Sequence, residues 1–258
     1  MTIAAGFAFT AIAAKAQLTS EWEGNAFVRY TTRYVFRGDK KAGQSIQANV
    51  QFQPTVDKNG FYVGGWANQP FASERDFEFN IYGGYDYKWK GFDFSAGITG
   101  YFFPQSSGDQ TSYSYEFNVS VSREIMQNWG VTATLYYDVR LQALTPELST
   151  GYRIPYSIGR FPCSLDFSAF LGNSNVRKYY PDASAATLAR ADVRNKDGYA
   201  YYGATVSTSV FFTRNFGLSV GVQYGDSINK AITPVVVGGY GKDTSDNLYG
   251  YISINARW

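Results

Sequence analysis

The sequence contains no histidine, a single cysteine and, beyond its first residues, no long apolar run. Each absence closes a class of function. Without histidine, serine–histidine and aspartate–histidine mechanisms and almost all catalytic zinc sites are out of reach. The chain therefore reads as a non-enzyme, and it carries no cofactor motif. Cys163 cannot form an internal disulfide and reads as a small, partly buried apolar residue. No stretch approaches the ~20 apolar residues that a membrane-crossing helix needs. That excludes a helical membrane protein but not a β-barrel, whose apolar residues alternate with polar ones. The net charge is only +2, so nothing in the charge balance points to nucleic acid.

What is abundant is the aromatic ring, with 22 Tyr and 20 Phe against 5 Trp among 258 residues. Tyr and Phe favour strands, and Tyr also suits a membrane–water boundary. At the N-terminus, Thr2 to Ala14 form a small-residue apolar stretch of signal-peptide length. Ala14-Lys15-Ala16 follows and fits the small-x-small cleavage rule. Residues 1–16 are thus expected to be a cleaved signal peptide, and 17–258 a single transmembrane barrel domain. The missing positive n-region leaves the true start open, and a short buried helix is the competing reading.

From Asn25 onward the sequence repeats alternating segments separated by turns. In the clearest, Ile46, Ala48, Val50, Phe52 and Val56 share one face, and Ser45, Gln47, Asn49, Gln51 and Gln53 the other. This period of two is a strand signal. Asn59-Gly60 then supplies residues that accept the positive φ of a tight hairpin turn. Strands are expected over Ala26 to Phe36, Ser45 to Val56, Phe61 to Asn68, Asp76 to Tyr87, Phe92 to Phe102 and Tyr113 to Ser122. Six more follow over Val131 to Leu141, Glu147 to Tyr156, Ser164 to Gly172, Tyr199 to Phe211, Leu218 to Tyr224 and Asn247 to Trp258. Compact turns alternate with longer polar connections, as periplasmic turns and external loops do in outer-membrane barrels. The expected fold is all-β, a closed antiparallel transmembrane β-barrel of about twelve strands.

Alternation alone does not say which face meets lipid, and a soluble two-sheet sandwich is the alternative. Three features favour lipid outside. The polar face is regular, as in Ser114, Glu116, Asn118, Ser120 and Ser122. A barrel wider than ~8 strands leaves voids if its lumen is apolar. Trp89, Trp129 and Phe216 stand at the short turns, where an aromatic girdle belongs. The last strand carries Gly250, Ile252, Ile254, Ala256 and the terminal Trp258 on one face. It is expected to close the barrel on the first strand. It also resembles the terminal signal read by the barrel-insertion machinery.

Thr32-Arg33-Tyr34-Val35-Phe36-Arg37-Gly38, followed by Ala42-Gly43-Gln44-Ser45-Ile46-Gln47, resembles the TorF family of porin-like proteins, earlier described as a bacterial family of unknown function. Gly60-Phe61-Tyr62-Val63-Gly64 and Ile81-Tyr82-Gly83-Gly84-Tyr85 are similar to further phrases of that family. The resemblance implies a porin role in the outer membrane and brings no catalytic residues.

On the first expected strand, Arg29, Arg33 and Arg37 share a face opposite Val28, Tyr30, Tyr34 and Phe36. The arginines are thus expected in the lumen and the latter four against lipid. Such a ladder favours anionic solutes. The other reading is structural, with Asp76, Glu78, Asp86, Glu116 and Asp138 pairing with the arginines to brace the wall. Gly238, Gly239 and Gly241 lack the strand–turn–helix context of a nucleotide fingerprint. Tyr179-Tyr180, in the long ninth connection, belong to a loop lying outside or folded into the lumen. Two functions result: a passive channel for small hydrophilic solutes or ions, or a non-conducting barrel with a structural or surface role. The expected partners are outer-membrane lipid, the insertion machinery and small solutes.

Overall fold

The computed structural model describes residues 22–55, 59–71, 77–104, 113–140, 142–174, 199–227 and 247–258. The expected signal peptide, Asp76, Tyr179-Tyr180 and Gly238 to Gly241 lie outside these residues. The described strands are β1 (Trp22–Thr31), β2 (Tyr34–Phe36), β3 (Asp39–Ala42), β4 (Ser45–Pro54), β5 (Gly60–Pro70), β6 (Glu78–Trp89) and β7 (Phe92–Phe102). After them come β8 (Tyr113–Met126), β9 (Trp129–Asp138), β10 (Ala143–Ile158), β11 (Phe161–Ser174), β12 (Tyr199–Phe211), β13 (Phe216–Ser227) and β14 (Leu248–Arg257). All but β2 and β3 form one closed antiparallel barrel, so its wall has twelve strands. Closure runs through the last strand, with Ala26 opposite Ala256 and Tyr30 opposite Ile252. No sheet edge is left for lipid to solvate.

The apolar face is outside. Ile254 is 62% exposed, Leu171 59% and Phe117 51%. Phe52 shares that face and packs edge-on against Trp258, ring centroids 5.9 Å apart. A continuous exposed apolar belt of this kind is foreign to a soluble monomer. It is the surface that hydrocarbon covers, and the chain is an outer-membrane barrel. Trp89, Trp129 and Phe216 are exposed at the short-turn end, where the girdle was expected.

The opposite face lines the lumen with polar groups that bond to one another. Gln47 Nε2 donates to Asn68 Oδ1 at 3.3 Å, and the Tyr82 hydroxyl donates to Asn49 Oδ1 at 2.8 Å. Luminal rings lie flat across glycines of the adjoining strand. Tyr82 covers its register partner Gly64, and Tyr251 covers Gly221. A Cβ at either glycine would run into the ring. Glycine at these positions lets a large ring occupy the wall rather than the channel.

Two expectations are corrected. The first strand does not run from Ala26 to Phe36; the wall strand ends at Thr31, and Tyr34–Phe36 form a separate hairpin with Asp39–Ala42. Nor do Asn59-Gly60 supply a positive-φ turn. That conformation is found at Lys90 (φ 50) and Gly91 (φ 76), while the Asn59 side chain accepts a bond from the Lys88 amide at 2.7 Å.

Candidate functional site

The first long connection turns inward. Thr32 N makes a last wall bond to Gly250 O at 3.0 Å, and the Thr31 hydroxyl donates to Arg33 O at 2.6 Å, bending the chain off the wall. β2 and β3 are then joined by Arg37 (φ 50) and Gly38 (φ 74). Positive φ at both central residues is the type I′ turn, whose twist matches paired strands. The chain rejoins the wall at Ser45, which is fully buried.

This hairpin crosses the mouth at the long-loop end. The Tyr34 ring lies 5.3 Å from that of Trp66 on β5, and Glu78 on β6 stands near its hydroxyl. Phe36 meets Tyr101 on β7 edge-on, at 6.3 Å. Tyr34 and Phe36 therefore face the lumen, contrary to the lipid contact expected of them. On the far side, Asn247 Nδ2 donates to Gly38 O at 3.3 Å, and Gly38 lies against the Asp226 carbonyl so closely that a Cβ would collide with it. Only glycine fits the turn there, by φ and by space.

The strongest tether is Arg37. Its Nη1 donates to Glu116 Oε2 at 2.7 Å and its Nη2 to Glu116 Oε1 at 2.9 Å, a two-pronged pair across to β8. The side chains are 12% and 4% exposed. Tyr101 donates to the same carboxylate at 3.0 Å, and the guanidinium lies 4.4 Å from the Tyr136 ring centroid. Burial acts to lower the Arg37 pKa, but the Glu116 charge and hydrogen bonds outweigh it and hold the pKa well above its ordinary value. Buried polar residues gather around this hairpin, among them Asn68, Glu78, Ser114, Asp138, Ser227 and Asn247.

The three arginines do not form a ladder on one strand. Arg29 is on the luminal face of β1, Arg33 is in the bend with Nη1 buried and unpartnered, and Arg37 occupies the turn. Of the expected carboxylates, only Glu116 pairs with one of them among the described residues. Glu78 accepts from Asn80 Nδ2 at 3.0 Å, and Asp138 accepts from the Ser114 hydroxyl at 2.9 Å and the Arg140 amide at 2.9 Å. Asp86 stands at the opposite, short-turn end, on a cavity of about 270 Å³ shared with Lys88 and Asp93. Among the described residues, the expected network shows one arginine–carboxylate pair, Arg37 with Glu116, and bonds from neutral groups to Glu78 and Asp138.

Other luminal groups escaped the sequence reading. The Tyr201 hydroxyl donates to Glu147 at 2.8 Å, and Arg153 on β10 pairs with Asp166 on β11. The sequence reading assigned no face to these strands, and nothing in spacing tells a paired luminal charge from a free one. Arg37-Gly38 could have been found as a turn, since glycine follows a short alternating run there and the polar Asp39-Lys40-Lys41 breaks the alternation.

Among solved structures the barrel is similar to the NanC porin, with 11% identity and a TM-score of 0.50 over 90% of this chain and 98% of that one. It is also similar to the KdgM porin, with 9% identity and a TM-score of 0.52 over 90% of this chain and 98% of that one. Such identities establish a shared fold. A search of curated proteins finds no match by sequence. A family profile does match, over residues 15–238. With most of its length inside that match, the chain belongs to the Gcw_chp family, described as bacterial protein of unknown function.

Proposed function

We propose that the barrel passes small hydrophilic solutes or ions across the outer membrane by passive diffusion, through a lumen narrowed at one end by the β2–β3 hairpin. The observation that carries this reading is the contrast between the two halves of the lumen. Around the hairpin the polar side chains are buried, whereas towards the short turns Arg153 and Ser168 are exposed on a cavity of about 590 Å³. A twelve-strand barrel has room for such space, unlike the ~8-strand barrels that side chains fill. In this reading Arg29, Arg33, Arg37, Glu78, Asp86, Glu116 and Asp138 line or bound the path, and the resemblance to TorF porin-like proteins is in keeping with it. During assembly, β14, with Gly250, Ile252, Ile254 and the closing Trp258, is the segment taken up by the barrel-insertion machinery.

Purified protein in planar bilayers is expected to give discrete conductance steps, and liposomes containing it to swell in small neutral sugars. A second reading, a non-conducting barrel with a structural or surface role, is favoured by the buried Arg37–Glu116 pair holding the hairpin across the mouth. Its signature is silence in both assays with fully inserted protein.

A further inference from the structure

Arg29 stands apart from the other luminal cations. Its guanidinium carbon lies 4.0 Å from the centroid of the Tyr251 ring and 4.7 Å from that of Phe27. Tyr251 is itself pressed over Gly221, where a Cβ would sit 2.5 Å from the ring. The aromatic platform is thus fixed to the wall, and the guanidinium is fixed on the platform. The Nε of Arg29 is buried with no hydrogen-bond partner, and among the described residues Arg29 makes no ion pair. A guanidinium held rigidly, with its donors not committed to a carboxylate, is prepared for an anion.

The surroundings narrow the kind of anion. The cavity of about 590 Å³ that Arg29 lines is also lined by Arg153 and Asp166, which neutralise each other. Two arginines and one aspartate leave one positive charge. A single excess cation matches a monovalent anion in charge, one carboxylate to one guanidinium. The same cavity is lined by Ser168, Ser207, Ser209 and Ser219, on the strands that follow β14 around the wall. Ser209 and Ser219 bond to each other at 2.8 Å, and Asn255 Nδ2 donates to Ser219 at 2.6 Å, so these hydroxyls are held in place. Each hydroxyl has more than one bonding direction, so it retains capacity towards the cavity.

We propose that Arg29 on its Tyr251 platform, together with the serines that line the same cavity, is a luminal binding site for small hydroxylated monocarboxylates. The carboxylate takes the guanidinium, and the hydroxyls of the solute take the serines. This inference rests on the passive-channel reading for its purpose, but the site is tested by binding alone.

The test is calorimetric titration of the intact barrel in lipid nanodiscs with sodium gluconate, and with sorbitol, the same carbon skeleton without the charge. Gluconate is expected to bind and sorbitol to bind at least about tenfold more weakly, the factor for losing one charge-assisted hydrogen bond. Raising sodium chloride should weaken gluconate and leave sorbitol unchanged. Arg29→Gln is expected to reduce gluconate affinity about tenfold or more, with Arg29→Lys between it and the parent because lysine keeps charge and loses the fork. Heat-modifiable mobility on gels checks that each variant is folded, and the comparison of two ligands on the parent protein stands even if a variant is not. Equal affinity for gluconate and sorbitol, no gluconate binding, or unchanged gluconate affinity in folded Arg29→Gln each overturns the site. Gluconate binding without bilayer conductance would sink the channel reading and leave the site standing.

Discussion

Glu116→Ala is the sharpest single perturbation of the hairpin, because it leaves Arg37 buried and positive with no carboxylate. In the parent protein the pair is two-pronged, at 2.7 and 2.9 Å, between side chains that are 12% and 4% exposed. Breaking a buried pair by removing one partner costs about 3–5 kcal/mol, since the remaining charge is uncompensated. The ring contacts of Arg37 with Tyr136 and Phe36, at 4.4 and 4.8 Å, persist in the variant and cancel from the difference. The docked hairpin is therefore disfavoured between about a hundred-fold and a few thousand-fold, at a factor of ten per ~1.4 kcal/mol. Single-channel recording in planar bilayers reads this directly, as larger steps and more frequent transitions to them. Arg37→Ala/Glu116→Ala buries no orphaned charge and should be the milder of the two, which a simple loss of packing would not produce. Step sizes and open fractions in Glu116→Ala identical to those of the parent would refute the assignment of the pair as the tether.

Two further substitutions test the wall itself. Ile252→Arg puts a cation on the exposed apolar face, where Ile252 is 45% exposed opposite Tyr30 and Val220. Folding free energy measured by urea titration in lipid vesicles should fall by about 2–4 kcal/mol if that face meets hydrocarbon near the midplane; an effect under about 0.5 kcal/mol, usual for a water-exposed surface, would contradict the orientation. Trp258→Ala removes the ring that packs on Phe52 and covers Gly24. Assembly assayed in vesicles containing the insertion machinery should slow several-fold, and a rate equal to the parent's would count against the role given to the terminal strand.

Much of the wall was legible because its physics is local and repetitive. Tyr199–Phe211 is found at the boundaries its alternation suggests, and Ile252 and Ile254 face outward as their period requires. The hairpin was not legible for a physical reason. Tyr34-Val35-Phe36 continues the alternation of Val28 and Tyr30, and period two cannot distinguish a strand bonded to its barrel neighbour from one bonded to its own return. That choice is made by contacts remote in sequence, above all Arg37 with Glu116, 79 positions apart. Likewise, the sequence places Arg29 and Arg37 in a polar setting, but only the fold shows that Arg37 is paired and that Arg29 rests on Tyr251.

The most direct measurement is to lock the hairpin and record current. The Cβ position of Gly225 on β13 lies 3.4 Å from Val35 Cγ1 on β2, close enough for a disulfide in Val35→Cys/Gly225→Cys. Cys163→Ala supplies a background without other thiols. If the lumen conducts and the hairpin is its constriction, the oxidised protein should show reduced and steady conductance, with larger fluctuating steps returning on addition of dithiothreitol. Identical currents in the two redox states, with the disulfide verified by mass spectrometry, would contradict the hairpin as the element that sets passage.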